Sequence, residues 1–237
     1  MTDIDTQYAL SLDKVEFHWG GRHAFGLTVP NFRIEQGERV LLLGESGSGK
    51  STLLSLICGI NAAQGGSICI NGTEITSMRS AARDRFRAEK IGIVFQQFNL
   101  LPYASPMDNI LLPLRFAPER RARVGDAQSA ALALTDGLGL AQGAMTSSTA
   151  DRLSVGQQQR VAVARALIGA PSLIIADEPT SALDASSQAI FLDLLFAQCT
   201  AAGSTLLMVS HDERLASRFD RSVRIENIAT YTREATA

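Results

Sequence analysis

Short unbroken apolar runs alternate along this chain with longer stretches of helical periodicity. Residues 8 to 43 hold short β-like stretches punctuated by Gly20-Gly21, Pro30 and Gly37, the last stretch being Arg39-Val40-Leu41-Leu42-Leu43. That continuous apolar run suits a strand buried on both faces of a parallel sheet. After a glycine-rich turn, apolar residues at 53, 54, 56, 57 and 60 predict a helix from Lys50 to Ile60. Ser67 to Asn71 and Ile91 to Phe95 read as further strands, with the charged segment Arg79 to Lys90 between them. From Asn99 to about Arg152 the prolines at 102, 106, 113 and 118, a basic run at 120 to 123 and an Ala/Leu-rich helix around 126 to 138 predict a mainly helical insertion. Strand-like Leu173 to Ala176, helical Ser186 to Ala201, strand-like Thr205 to Val209 and a last strand near Arg221 to Ile225 restore alternating α/β order. The basic runs at 79 to 90 and 115 to 123 are interleaved with acidic residues and read as solvated faces.

The turn after the first buried strand carries chemistry. Gly44-Glu45-Ser46-Gly47-Ser48-Gly49-Lys50-Ser51 fits the phosphate-loop pattern G-x-x-x-x-G-K-[ST], and it sits between the strand and the helix that the pattern requires. Glycines let the backbone turn tightly and bring its N–H groups to phosphate oxygens, while the helix N-terminus adds a positive dipole end. Lys50 is expected on the β and γ phosphates and Ser51 on Mg²⁺, with Thr52 next in the helix also assigned to ATP. Further on, Leu173 to Ala176 ends in Asp177-Glu178. An acidic pair after a strand is in isolation also what a solvated loop start looks like. Beside a phosphate loop, Asp177 suits Mg²⁺ and Glu178 suits the base that polarises an attacking water. Leu153-Ser154-Val155-Gly156-Gln157 precedes apolar residues at 161, 163, 164, 167 and 168, and Ser154 with Gln157 makes a capping box. The helix N-terminus that this predicts is a second place for an anion, or simply a well-capped helix.

Together these motifs resemble the ATP-binding cassette ATPases, the nucleotide-binding subunits of ABC transporters. The resemblance covers nearly the whole chain. Gly44 to Ser51 matches that family's Walker A, Leu173 to Glu178 its Walker B, Ser181-Ala182-Leu183-Asp184 its D-loop and Leu153 to Gln157 its LSGGQ signature. By the same resemblance Gln96 is the Q-loop glutamine and a Mg²⁺ ligand, His211 the switch histidine, and Trp19 the aromatic that stacks on adenine, with Phe17 on the same strand face as the alternative. Ser154, Gly156, Gln157 and Asp184 are then ATP contacts, and Glu178, His211 and Gln96 the catalytic set. One departure stands out: Val155 replaces the signature's first glycine, and a β-branched residue there needs a negative φ. Residues 145 to 152 also lack the His and Pro often found before the signature. The segment Val94 to Pro102, with Asn109-Ile110 and Leu112-Pro113-Leu114 after it, resembles the lipoprotein-releasing and macrolide-exporting group.

The fold implied is α/β, a P-loop NTPase core with a mixed sheet, an antiparallel β subdomain and a helical insertion carrying the signature. It is a single ATPase domain over 8–228, with a RecA-like core of about 8–96 and 163–228 and a helical subdomain of about 97–162. Composition agrees: of 237 residues 46% are hydrophobic and 19% charged, enough apolar material for a sizeable core. A net charge of −2 lacks the basic excess that nucleic-acid binding needs. The apolar runs are too short to span a bilayer, and the acidic start has neither the basic nor the apolar region of a secretory signal. The chain is expected at the cytoplasmic face of the inner membrane, peripheral, with no further domain after residue 225. Cys58, Cys69 and Cys199 fall in no metal-ligand spacing and read as buried reduced thiols.

The functional expectation is an ATP-hydrolysing subunit that uses ATP and Mg²⁺, works as a homodimer and drives separate integral-membrane permease subunits. A regulatory or mechanical clamp on a membrane complex is the alternative within the family, and a small-molecule kinase is disfavoured by the signature and by Glu178.

Overall fold

The computed structural model describes residues 7–20, 25–145, 149–181 and 183–233. Gly21 of the expected glycine turn, Ala182 of the D-loop segment and residues 146–148 before the signature lie outside them. Contacts within the chain divide it into two compact units, residues up to 87 with those from 207 onward, and residues 88–206. In chain order the first unit holds β1 (Tyr8–Trp19), β2 (Phe25–Glu35), β3 (Arg39–Leu43), α1 (Lys50–Ile57), β4 (Gly65–Ile70) and β5 (Thr73–Glu74), after which α2 (Ser80–Lys90) leads out of it. The second holds β6 (Ile91–Val94), α3 (Pro106–Leu111), α4 (Pro118–Val124), α5 (Ala127–Gly137), α6 (Gln142–Met145), α7 (Val155–Leu167), β7 (Leu173–Asp177) and α8 (Ala185–Ala202). Strand β8 (Thr205–Ser210) leads back to β9 (Arg221–Arg224), α9 (Ile225–Ile228) and β10 (Thr230–Arg233). The expected final strand is therefore followed by a helical turn that begins at Ile225 and by one more strand.

In the first unit an antiparallel sheet runs β10-β2-β1-β4-β5. Parallel β3 and β9 pair from Val40 with Arg221 to Leu43 with Arg224, and β8 lies on the other side of β3. Val40, Leu41, Leu42 and Leu43 are all buried, as a two-sided strand requires. The expectation of short stretches over 8 to 35 is corrected to two long strands, because Pro30 does not break β2. Val15 faces Val29 and Asp13 faces Asn31, so Pro30 lies opposite Lys14, which has a φ of 48° and drops out of the ladder. The register of β1 with β2 runs on unshifted past both residues, so the proline costs the ladder no more than this one pair.

In the second unit β6 and β7 pair in parallel from Ile91 with Leu173 to Val94 with Ala176. Around them stand the helices expected over 99 to 152, and α7 is buried over most of its length. Here the reading of the basic runs as solvated faces holds for Arg79, Arg85, Arg115, Arg121 and Arg123, which are exposed, and fails at two positions. Arg120 is 2% exposed and Glu89 is 3% exposed. The Arg120 guanidinium donates to the carbonyls of Ile168, Ala166 (2.9 Å), Ala88 (3.1 Å) and Ile91 (3.4 Å), and the Glu89 carboxylate accepts the N–H groups of Glu119 (3.0 Å) and Arg120 (2.9 Å). Burial chiefly, with a smaller push from Arg123, lowers the Arg120 pKa to about 10, so it stays charged. Carbonyls at a helix C-terminus and donors at a helix N-terminus are the backbone groups that helices leave unpaired, and the two runs supply one partner each, Arg120 and Glu89.

Cys58 and Cys199 are buried, whereas Cys69 is only half-buried, and no disulfide joins the three. Burial first and Glu74 second push the Cys69 thiol up, away from the reactive thiolate. Among the described residues no helix is long and apolar enough to cross a membrane.

Candidate functional site

In the first unit the phosphate-loop candidates form the turn from the end of β3 into α1. Gly47 and Gly49 have φ of 79° and 97°, a region where other residues are strained. A Cβ on Gly49 would also lie 2.9 Å from the Phe25 ring, so no larger residue fits. Gly49 caps α1 without a side-chain bond, which leaves first-turn N–H groups directed at the loop. Lys50 is 8% exposed, and its Nζ donates to the carbonyls of Gly44 (2.6 Å) and Glu45 (2.7 Å). Ser48 Oγ donates to the Glu45 carbonyl at 2.8 Å and closes the turn. Glu45, Ser46 and Ser51 are exposed and Thr52 is half-buried.

Trp19 ends β1 and is 43% exposed; its Nε1 donates to Thr52 Oγ1 at 3.3 Å. Phe17 is 6% exposed and meets the indole edge to face at 5.0 Å. A platform for a base needs an accessible ring, and Trp19 is the more exposed of the two. His211 follows β8 and is exposed. Beside it the Asp212 N–H bonds to Ser210 Oγ and its carboxylate caps the turn over 213–218.

In the second unit, Gln96 and Glu178 each lie two residues past the last pair of β6 and β7, Val94 with Ala176. Parallel pairing thus brings both candidates to the same end of adjacent strands, where α/β proteins collect their ligands. Gln96 is exposed, and Asp177 and Glu178 are half-buried. Gln96 and Asp177 offer a side-chain carbonyl and a carboxylate, hard oxygens of the kind that Mg²⁺ takes.

The capping box forms as expected: Ser154 Oγ accepts the Gln157 N–H (3.3 Å) and Gln157 Oε1 accepts the Ser154 N–H (2.9 Å). Val155 is the first helical residue, is absent from the positive-φ positions and is 53% exposed. Gly156 also lacks a positive φ, and the nearest atom to a Cβ there is 3.8 Å away. Asp184 caps α8, accepting from Ser186 Oγ (2.6 Å) and from the N–H and Oγ of Ser187 (both 2.9 Å). These donors, the Ser186 hydroxyl most, hold its carboxyl down to about 2.

Two polar side chains of α7 were not singled out from the sequence. Gln159 donates Nε2 to the Pro179 carbonyl at 2.6 Å, directly after Glu178. Arg165 donates to the carbonyls of Phe98 (2.5 Å) and Asn99 (2.7 Å), two and three residues after Gln96. Helical phase could have found them, since 159 lies four before buried Val163 and 165 four after buried Val161.

The sequence profile of the ABC transporter family matches residues 27–181. The chain is 40% identical over 208 residues to the uncharacterized ABC transporter ATP-binding protein YbbA of Escherichia coli, covering 87% of this chain and 89% of that one. It is 38% identical over 195 residues to the lipoprotein-releasing system ATP-binding protein LolD of Hydrogenovibrio crunogenus, covering 82% and 83%. A dimeric structure of the ATP-binding cassette MJ0796 in a post-hydrolysis state, bound to ADP and Pi, superposes with a TM-score of 0.80 at 33% identity over 91% of this chain and 93% of that one.

Proposed function

The chain belongs to the ABC transporter family as an ATP-binding cassette ATPase, and on that premise we propose that it powers a transporter by closing and opening as a homodimer coupled to separate permease subunits. The observation that carries the reading is the turn over 44–51, with its two left-handed glycines, its buried Lys50 and the uncapped start of α1. Loop N–H groups and Lys50 hold the β and γ phosphates, and Trp19 stacks on adenine. Ser51, Gln96 and Asp177 hold Mg²⁺, which when bound neutralises phosphate charge. Glu178 takes the proton of the attacking water, while His211 steadies the γ phosphate. Ser154, Gly156, Gln157 and Asp184 complete the site of a second copy.

Gly156 supports that last point. Its backbone angle and its surroundings leave open space where a side chain would stand, so a group from a second copy can come close to the start of α7 there. The functional division we adopt remains one domain over 8–228, with a helical subdomain of about 97–162 serving the permease. The second unit offers apolar surface for it. Tyr103 is 76% and Phe116 66% exposed, and a groove of about 640 Å³ is lined by Met107, Leu132, Leu140 and Met145. Helix-in-groove recognition needs such anchors. Placed this way, the chain sits peripherally at the cytoplasmic face of the membrane.

The test is co-purification from detergent-solubilised membranes. Replacing Leu101 and Tyr103 together by Asp is expected to abolish recovery of membrane subunits while soluble ATP hydrolysis continues. Unchanged recovery moves the docking surface elsewhere, and loss of the fold identifies these residues as core.

A further inference from the structure

The turn that Gln96 opens is one that its own residues do not favour. Phe98 and Asn99 both adopt left-handed backbone, φ 59° and 48°, and neither is glycine. Two successive L-residues in that region carry strain that something outside the turn must offset. The turn's own bonds are local, Phe98 N–H to the Phe95 carbonyl (2.9 Å) and Asn99 N–H to that of Gln97 (2.6 Å). The outside hold is Arg165, 8% exposed, whose Nη2 and Nη1 reach the carbonyls of those same two residues. Charge-assisted bonds in a buried setting are the strong kind, and a planar fork fixes two acceptors relative to each other. Arg165 lies in α7, the helix whose N-terminus is the Ser154 box. Gln159 of the same helix grips the Pro179 carbonyl after Glu178, itself at φ 46°.

We propose that Arg165 is a positioning residue: by holding Phe98 and Asn99 left-handed it ties the Gln96 turn to α7, so that the Gln96 amide and the capped end of that helix move as one body. This rests on the reading of Gln96 as a Mg²⁺ ligand given above. Arg165 touches neither nucleotide nor metal and acts only through the backbone that aims Gln96.

The experiment uses the full chain. Arg165→Lys keeps the charge but cannot fork onto both carbonyls. The half-saturating Mg²⁺ concentration for hydrolysis is expected to rise about tenfold, with a smaller change in kcat. In the nucleotide-free chain, amide exchange over 96–100 is expected to quicken while that of β6 stays as it was. Asn99→Gly, at ease with positive φ, should restore part of the loss when added to Arg165→Lys. If Arg165→Lys does not fold, Asn99→Pro carries the test, since proline forbids the left-handed angle with the arginine intact and should give the same Mg²⁺ shift. A lower Tm with the Mg²⁺ requirement and the exchange over 96–100 unchanged overturns the proposal, as does an Asn99→Pro chain with wild-type Mg²⁺ dependence. Gln96→Ala separates the two claims. If it leaves the Mg²⁺ requirement untouched, the role given to Gln96 fails, and the exchange measurement still decides whether Arg165 holds the turn.

Discussion

Lys50 and Glu178 are side chains of a first kind, picked out by a fixed spacing in the sequence and given their roles by the function proposed above. Glu178→Gln keeps the shape of the side chain and removes the base. Mg²⁺-dependent phosphate release is therefore expected to fall by about 10² to 10⁴-fold with ATP binding retained, whereas Lys50→Ala loses binding. A Glu178→Gln chain at wild-type turnover would show that the base lies elsewhere. Between Trp19 and Phe17 the sequence left the choice open, and exposure favours Trp19, with Phe17 buried beside it. Trp19→Ala should weaken ATP binding and remove the nucleotide-dependent change in tryptophan fluorescence, since the chain has one tryptophan. If titration instead finds Phe17→Ala alone weakening affinity in a normally folded chain, the platform is two residues away. Arg120, Glu89 and Arg165 belong to the second kind. A run of basic residues has the same composition whether it faces water or caps buried carbonyls, and only the packing distinguishes the two.

At the level of helices and strands the same contrast holds. The capping box of α7 was legible because Ser154 and Gln157 identify both partners of two local hydrogen bonds. The length of β1 and β2 was not, since Pro30 reads as a break although the pairing with β1 runs on in register past it. Local rules see one strand at a time. The Arg120 cluster makes a prediction at this scale, because its guanidinium bonds tie α4 to the end of α7 and the start of β6. Arg120→Met leaves those carbonyls without their charged donor, at a cost of roughly 3 kcal/mol. In a chain of this size that lowers Tm by about 6 to 12 °C. Arg120→Lys should recover little of it, because an ammonium cannot span the same carbonyls. Calorimetry showing Arg120→Met within a degree or so of wild type would mean the cluster contributes nothing net.

For the molecule as a whole, runs of consecutive residues anticipated the α/β class and the helical insertion, and the family resemblance added the antiparallel sheet. The division of contacts at 87 and 207 follows from no such run. In the proposed dimer each chain gives half of two sites, which makes a complementation test possible. Mixing Lys50→Ala chains with Ser154→Arg chains puts both lesions in one site and leaves the other intact. Activity above that of either variant alone is expected; heterodimers shown to form without such a gain would count against shared sites. The sheet β10-β2-β1-β4-β5 bears on how copies can meet at all. Its outermost members are β5, two residues with Glu74 in the second place, and β10, four residues. Strands that short offer an incoming chain little ladder to extend, so strand addition, the usual beginning of fibrillar aggregation, is discouraged at these two positions.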